Sequence, residues 1–225
     1  MLKIITTSDG SHSLLNEELN ETYHSIHGAI QESAHVFIKS GLEYAEENFT
    51  APVSIFELGF GTGLNALLTL RHSLRHQKKI QYTSIEESPL REEIWSQLNY
   101  APLINLTHEF EAMHRATWGT SQHITPDFSL LKLHAAFQQF DMPYQRYELI
   151  YYDAFAPSKQ PELWTYSILE KISHGLRPGG VIVTYCAKGQ LKRDLASLGL
   201  IVETLPGPPG KKEMVRAVKP KRYDL

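Results

Sequence analysis

The segment Val53–Leu58, VSIFEL, runs directly into Gly59-Phe60-Gly61-Thr62-Gly63, and a leucine stripe follows at Leu64, Leu67, Leu68, Leu70 and Leu74. An apolar run of strand length, a glycine turn and a 3.6-residue period together specify a strand–turn–helix unit. The glycines let the backbone turn tightly, and the helix start points its amide groups at whatever lies above the strand tip. The same alternation continues. Strands are predicted at 80–85, 128–133, Tyr147–Tyr152 and 180–186, and helices at 89–98, 161–172 and 190–198. The 180–186 strand is expected to follow a turn at Arg177-Pro178-Gly179-Gly180. Two last strands, 200–205 and Glu213–Val218, flank a Pro/Gly loop too short for a crossover helix, so they should pair antiparallel. The expectation is an α/β fold: a mostly parallel sheet of seven strands covered by helices, with a terminal antiparallel hairpin. Residues 1–50 read as an N-terminal extension or cap. Residues 51–225 read as the main domain, with an irregular cap insertion at about 100–127.

Composition narrows the function classes. Hydrophobic residues make up 42% of the 225, enough for a sizeable core and too many for a disordered chain. No segment approaches the ~18 apolar residues of a membrane span, and the start, MLKIITTSDGSHS, lacks a basic and apolar leader. Cys186 has no internal partner, which fits a cytoplasmic protein. Residues 1–158 carry ten Lys and Arg against nineteen Asp and Glu, whereas 159–225 carry twelve against six. A basic C-terminal part is what a polyanion-binding face needs. The 11 histidines include the close pairs His24/His27 and His72/His76, but no cysteine or carboxylate cluster completes a ligand set, so no metal is expected.

The glycine spacing is G-x-G-x-G. A dinucleotide fingerprint requires G-x-G-x-x-G, and Leu64 occupies the position where its third glycine would stand. No G-x-x-x-x-G-K-[ST] occurs, which excludes a phosphate-binding P-loop. An E-x-G-x-G-x-G opening is instead the usual start of an S-adenosylmethionine site. Glu57 could hold the methionine end of that cofactor, directly or through water. Glu86 ends the second strand, where an acid accepts hydrogen bonds from both ribose hydroxyls. Asp153 closes the fourth strand and leads into Ala154-Phe155-Ala156-Pro157, a proline-stiffened loop. Such a loop can clamp a planar base and present a carboxylate to an amine.

FELGFGTGLN, Glu86, YDAFAPSKQPELW, RPGG and GPPGKKEMVRA together resemble the methyltransferase domain of the MnmC type, the tRNA 5-methylaminomethyl-2-thiouridine methyltransferases. YHSIHGAIQESAHVFI is similar to that family's opening. The resemblance spans nearly the whole chain. It implies a class I S-adenosylmethionine-dependent methyltransferase fold, Rossmann-like, and methyl transfer to the aminomethyl amine of a wobble uridine in the tRNA anticodon loop. It places the cofactor on Glu57, Gly59, Phe60, Gly61, Thr62, Gly63, Asn65 and Glu86, with His134 and Ala135 near the adenine. Asp153 is the expected catalytic residue and a further cofactor contact. Gln31, Glu32, Phe155, Pro157, Lys159, Trp164, Lys211 and Lys212 are expected to meet the substrate, with Lys188, Lys192, Arg193 and Arg216 as further phosphate contacts. The chain departs from the family at Leu133-His134-Ala135-Ala136, where an Asp is common. It shows no second glycine fingerprint, so a stand-alone methyltransferase without a flavin domain is expected. The alternative is a class I methyltransferase acting on a small-molecule amine or another non-tRNA acceptor.

Overall fold

The structure is a computed structural model that describes residues 1–221, so the last four residues of the expected domain lie outside the described residues. Eight strands form one sheet in the order β10-β11-β9-β8-β4-β5-β7-β6. They are β4 (Val53–Leu58), β5 (Ile80–Glu86), β6 (Gln122–Thr125), β7 (Phe128–His134), β8 (Tyr147–Tyr152), β9 (Leu176–Thr184), β10 (Ile201–Pro206) and β11 (Glu213–Val218). The five central strands are parallel. The closing hairpin is antiparallel, Ile201 opposite Val218, as its short loop requires. Strands β4 and β8 are buried along their whole length because helices cover both faces.

Alternate residues of the central strands feed two cores. Ile55, Tyr82, Leu149, Tyr151, Val181 and Val183 pack on one side beneath residues 29–48 and α3 (Leu64–His76). Phe56, Leu58, Ile150, Tyr152 and Ile182 pack on the other, beneath α7 (Tyr166–Gly175) and α8 (Gly189–Ser197). Among the described residues no helix is long and apolar enough to cross a membrane. No group of three or more His, Cys, Asp or Glu among them could hold a metal ion.

The strand count is corrected. The sheet has eight strands, because residues 100–127 are ordered rather than irregular. They form α5 (Tyr100–Ile104), α6 (Thr107–Arg115) and β6, which turns back antiparallel onto β7 through Pro126-Asp127. The expected turn at Arg177-Pro178-Gly179-Gly180 is present, with Gly179 at φ 82°, and it sits as an excursion within β9 between the pairings of Leu176 with Tyr147 and Val181 with Leu149. Residues 1–50 also contribute to the main core. β1 (Leu2–Thr6), β2 (His12–Asn16) and β3 (Glu21–Thr22) make a small antiparallel sheet. Residues 29–48, whose middle Ala34–Glu43 winds as a π-helix, bury Val36, Phe37 and Leu42 in the main core.

The chain moves outward from β4 through β5 to β7, then crosses back to β8 and β9. The reversal between β4 and β8 opens a crevice at the carboxyl ends of the strands, where open α/β sheets bind ligands.

Candidate active site

That crevice is a cavity of about 460 Å³, inside the range of small-molecule sites. Its floor is the glycine loop. Gly59, Gly61 and Gly63 all hold positive φ, of 92°, 48° and 74°. At Gly61 a Cβ would come within 3.3 Å of the Tyr23 ring, so a side chain there would be both strained and crowded. Glu86, half-buried at the tip of β5, accepts the Gly61 N–H at 2.9 Å and the Ser88 N–H at 2.8 Å. Those bonds fix the loop and hold the carboxylate at the cavity edge.

Asp153 stands at the tip of β8, bordering the cavity, with Asn65 Nδ2 donating to its Oδ2 at 2.8 Å. Desolvation pushes the Asp153 carboxyl up to about 7; the charge of Glu32 adds to the rise, while the Asn65 amide and Lys211 oppose it. A carboxyl poised there exchanges protons near neutral pH. The Phe155 ring meets Tyr23 edge-on at 5.0 Å, and the Trp164 indole N–H holds the Phe155 carbonyl at 2.8 Å. Trp164 therefore braces the loop from behind, packed on Tyr152, and does not border the cavity.

The N-terminal segment supplies the opposite wall. His24, buried, bonds Thr62 Oγ1 through Nε2 at 2.7 Å, and burial pushes its pKa down to about 4, so the ring is neutral. Tyr23 lies over the glycine loop, and burial together with Glu86 lifts its phenol to about 12. Glu32 accepts the Ser25 N–H on one oxygen and Lys211 on the other. Tyr23, His24 and Tyr185 were not expected at the site; His24 figured in the sequence only as one of a close histidine pair. The YHSIHG string was the one signal that could have found the first two.

Of the expected cofactor residues, Gly59, Phe60, Gly61, Thr62, Asn65, Glu86, Ala135 and Asp153 border the cavity. Three do not. Gly63 caps α3 behind the loop. His134 is exposed and packs on Trp118 at 5.8 Å, because side chains alternate at the end of β7; Ala135, Phe137 and Gln138 take that edge instead. Glu57 is 1% exposed, takes the Ser84 hydroxyl at 2.7 Å and is pushed up to about 8 by burial. Its interacting neighbours include the Asn65 side chain, so its reach toward the cavity runs through Asn65.

Of the expected substrate residues, Glu32, Phe155 and Lys211 border the cavity, whereas Gln31, Pro157, Lys159, Trp164 and Lys212 do not. Lys211 pairs with Glu32, Lys192 with Glu213 and Arg216 with Glu203. Those three cations are tied down by carboxylates, which disfavours the phosphate contacts expected of them.

Residues 104–220 match the family described as S-adenosyl-L-methionine-dependent methyltransferase, just over half of the chain. The chain belongs to the S-adenosyl-L-methionine-dependent methyltransferases.

Over 219 residues this methyltransferase is 30% identical to the tRNA 5-methylaminomethyl-2-thiouridine biosynthesis bifunctional protein MnmC of Leptospira interrogans, covering 89% of the chain and 33% of the relative. It is 29% identical to the protein of the same name from Campylobacter hominis, covering 91% of the chain and 31% of that relative. The chain thus spans about a third of the length of the curated relatives it matches. The crystal structure of MNMC2 from Aquifex aeolicus superposes with a TM-score of 0.78 at 25% identity, covering 98% of this chain and 72% of that one.

The residues at the methyltransferase cavity fit the cofactor. Glu86 offers an anionic acceptor for a ribose diol. Asn65 Oδ1 is buried at the cavity with no donor among the described residues, the position an ammonium or hydroxyl would satisfy.

Proposed function

We propose that the chain transfers a methyl group to the primary amine of a 5-aminomethyl group on the wobble uridine of tRNA. The observation that carries this reading is Asp153. It is a proton-accepting carboxyl held near neutrality at the cavity wall, beside the aromatic Phe155 and an ordered proline loop. The printed names of the two relatives support the substrate class.

The cofactor supplies an activated methyl on a sulfonium. The chain's residues have to bring a neutral amine in line with it at about 3–3.5 Å. A primary alkylamine has a reference pKa of ~10.4 and arrives as the ammonium. Asp153 takes its proton, and Asn65 keeps the carboxylate oriented while it does so. Phe155, braced by Trp164, offers the planar base a face. The base has to leave its stack to reach the cavity. Lys159, Lys188 and the exposed Lys212 remain candidate phosphate contacts, which would make affinity fall with salt. Acting on tRNA would place the protein in the cytoplasm.

Nucleoside mass spectrometry tests this reading. With labelled cofactor, tRNA carrying 5-aminomethyluridine at the wobble position should gain one methyl on that nucleoside, and unmodified tRNA none. A small-molecule amine labelled in place of the tRNA would contradict it.

A further inference from the structure

Lys211 lies where a phosphate-contacting lysine should not. Its loop, Gly207-Pro208-Pro209-Gly210, closes on itself through Lys211 N–H to the Pro208 carbonyl at 2.9 Å and Gly207 N–H to the Lys212 carbonyl at 3.1 Å. Gly210, at φ 83°, lies flush on the His27 ring with no room for a Cβ, so the loop is seated on the N-terminal wall. From there Lys211 Nζ reaches inward. It pairs with Glu32 at 2.5 Å, whose side chain is only 6% exposed, and sits 3.8 Å from the centroid of the Tyr185 ring. Tyr185 is pinned in turn, its hydroxyl donating at 2.8 Å to the carbonyl of Ala154, next to Asp153. Glu32, Lys211, Tyr185 and Asp153 all border the one cavity.

A buried carboxylate and an aromatic face are what an ammonium ion binds. The acceptor amine arrives as an ammonium and must lose its charge to react. A site offering it Glu32, Tyr185 and Asp153 together would stabilise the unreactive form. We propose that Lys211 permanently occupies the ammonium-binding features of the wall, so that the acceptor amine meets Asp153 alone and gives up its proton there. The proposal rests on the reading of the acceptor as a primary amine. The balance is simple. The ammonium passes one proton to the Asp153 carboxylate. The freed nitrogen pair forms the bond to the methyl carbon, and the carbon–sulfur pair leaves with sulfur. The product is a methylammonium ion and a neutral thioether. Lys211 is a positioning residue in this scheme and touches no reacting atom.

Other titratable groups face the pair. His24 and Glu21 come from the N-terminal wall, Glu57 from behind Asn65, and Cys186 from beyond β9. All are common to the wild type and the variants, so the difference between their profiles isolates Lys211.

The test is the pH dependence of methyl transfer for Lys211→Met, Lys211→Arg and the double variant Glu32→Gln/Lys211→Met, on aminomethyl-bearing tRNA. In Lys211→Met, kcat at pH 7 should fall about tenfold or more, one unit of amine pKa, while KM holds or falls. The loss should shrink as the pH approaches 9. Lys211→Arg should keep the wild-type profile, and the double variant should move back toward it. Carbon-13 titration of the Asp153 carboxyl in the free protein is independent of turnover, and its midpoint should rise in Lys211→Met. If the wild type fails to methylate this tRNA, the substrate reading falls, and the titration alone still decides whether Lys211 sets the charge at the cavity. A Lys211→Met loss equal at every pH, or an Asp153 midpoint that does not move, would overturn the proposal.

Discussion

Asp153→Asn is expected to slow methyl transfer by at least about a hundredfold at pH 7, the range for a lost general base, and to make the free protein more stable in alkali. Asparagine keeps the shape and the contact with Asn65 but can neither accept a proton nor carry charge. The stability sign follows from the raised carboxyl. Unfolded, an aspartate titrates near ~3.9; in the fold Asp153 titrates at about 7, mainly because it is desolvated. The fold therefore favours the protonated form. That contribution is whole below the unfolded value and is lost as pH rises through 7. Asparagine has nothing to lose over that interval. The melting temperature of the variant should gain on the wild type between pH 4 and pH 8, while S-adenosylhomocysteine still binds. Turnover equal to wild type would remove Asp153 from the chemistry.

Glu86→Ala should cut affinity for S-adenosylhomocysteine about a hundredfold or more and leave the protein folded. Two charge-assisted hydrogen bonds to a diol are worth ~1.5–3 kcal/mol each. The substitution also frees the Gly61 and Ser88 amides that shape the loop. Glu86 is half-buried at a strand tip, away from the two cores, so little packing is lost. Calorimetric titration of the two proteins reads the ratio directly. An unchanged dissociation constant would mean the ribose lies elsewhere.

The floor of the site was legible because its signals are local. A strand, a positive-φ glycine turn and a leucine stripe lie within residues 53–74, and Glu86 and Asp153 end apolar runs. The closing hairpin followed from loop length alone. What failed depended on distant packing. β6 is four residues of mixed character and exists because it pairs with β7. The Arg177-Pro178-Gly179-Gly180 turn is where its chemistry puts it, but β9 begins ahead of it, at Leu176, because Leu176 pairs with Tyr147. Alternation at the end of β7 turned His134 outward, a matter of register that composition does not reveal. The far wall was least legible: Tyr23 and His24 reach the glycine loop across more than thirty residues, and Lys211 and Glu32 are 179 positions apart.

A crystal structure of the protein with S-adenosylhomocysteine tests the central claim most directly. The account predicts the ribose hydroxyls on the Glu86 carboxylate and the sulfur turned toward Asp153 and Phe155, with Lys211 still on Glu32. A ligand whose sulfur points away from Asp153, or one bound outside the crevice between β4 and β8, would contradict it.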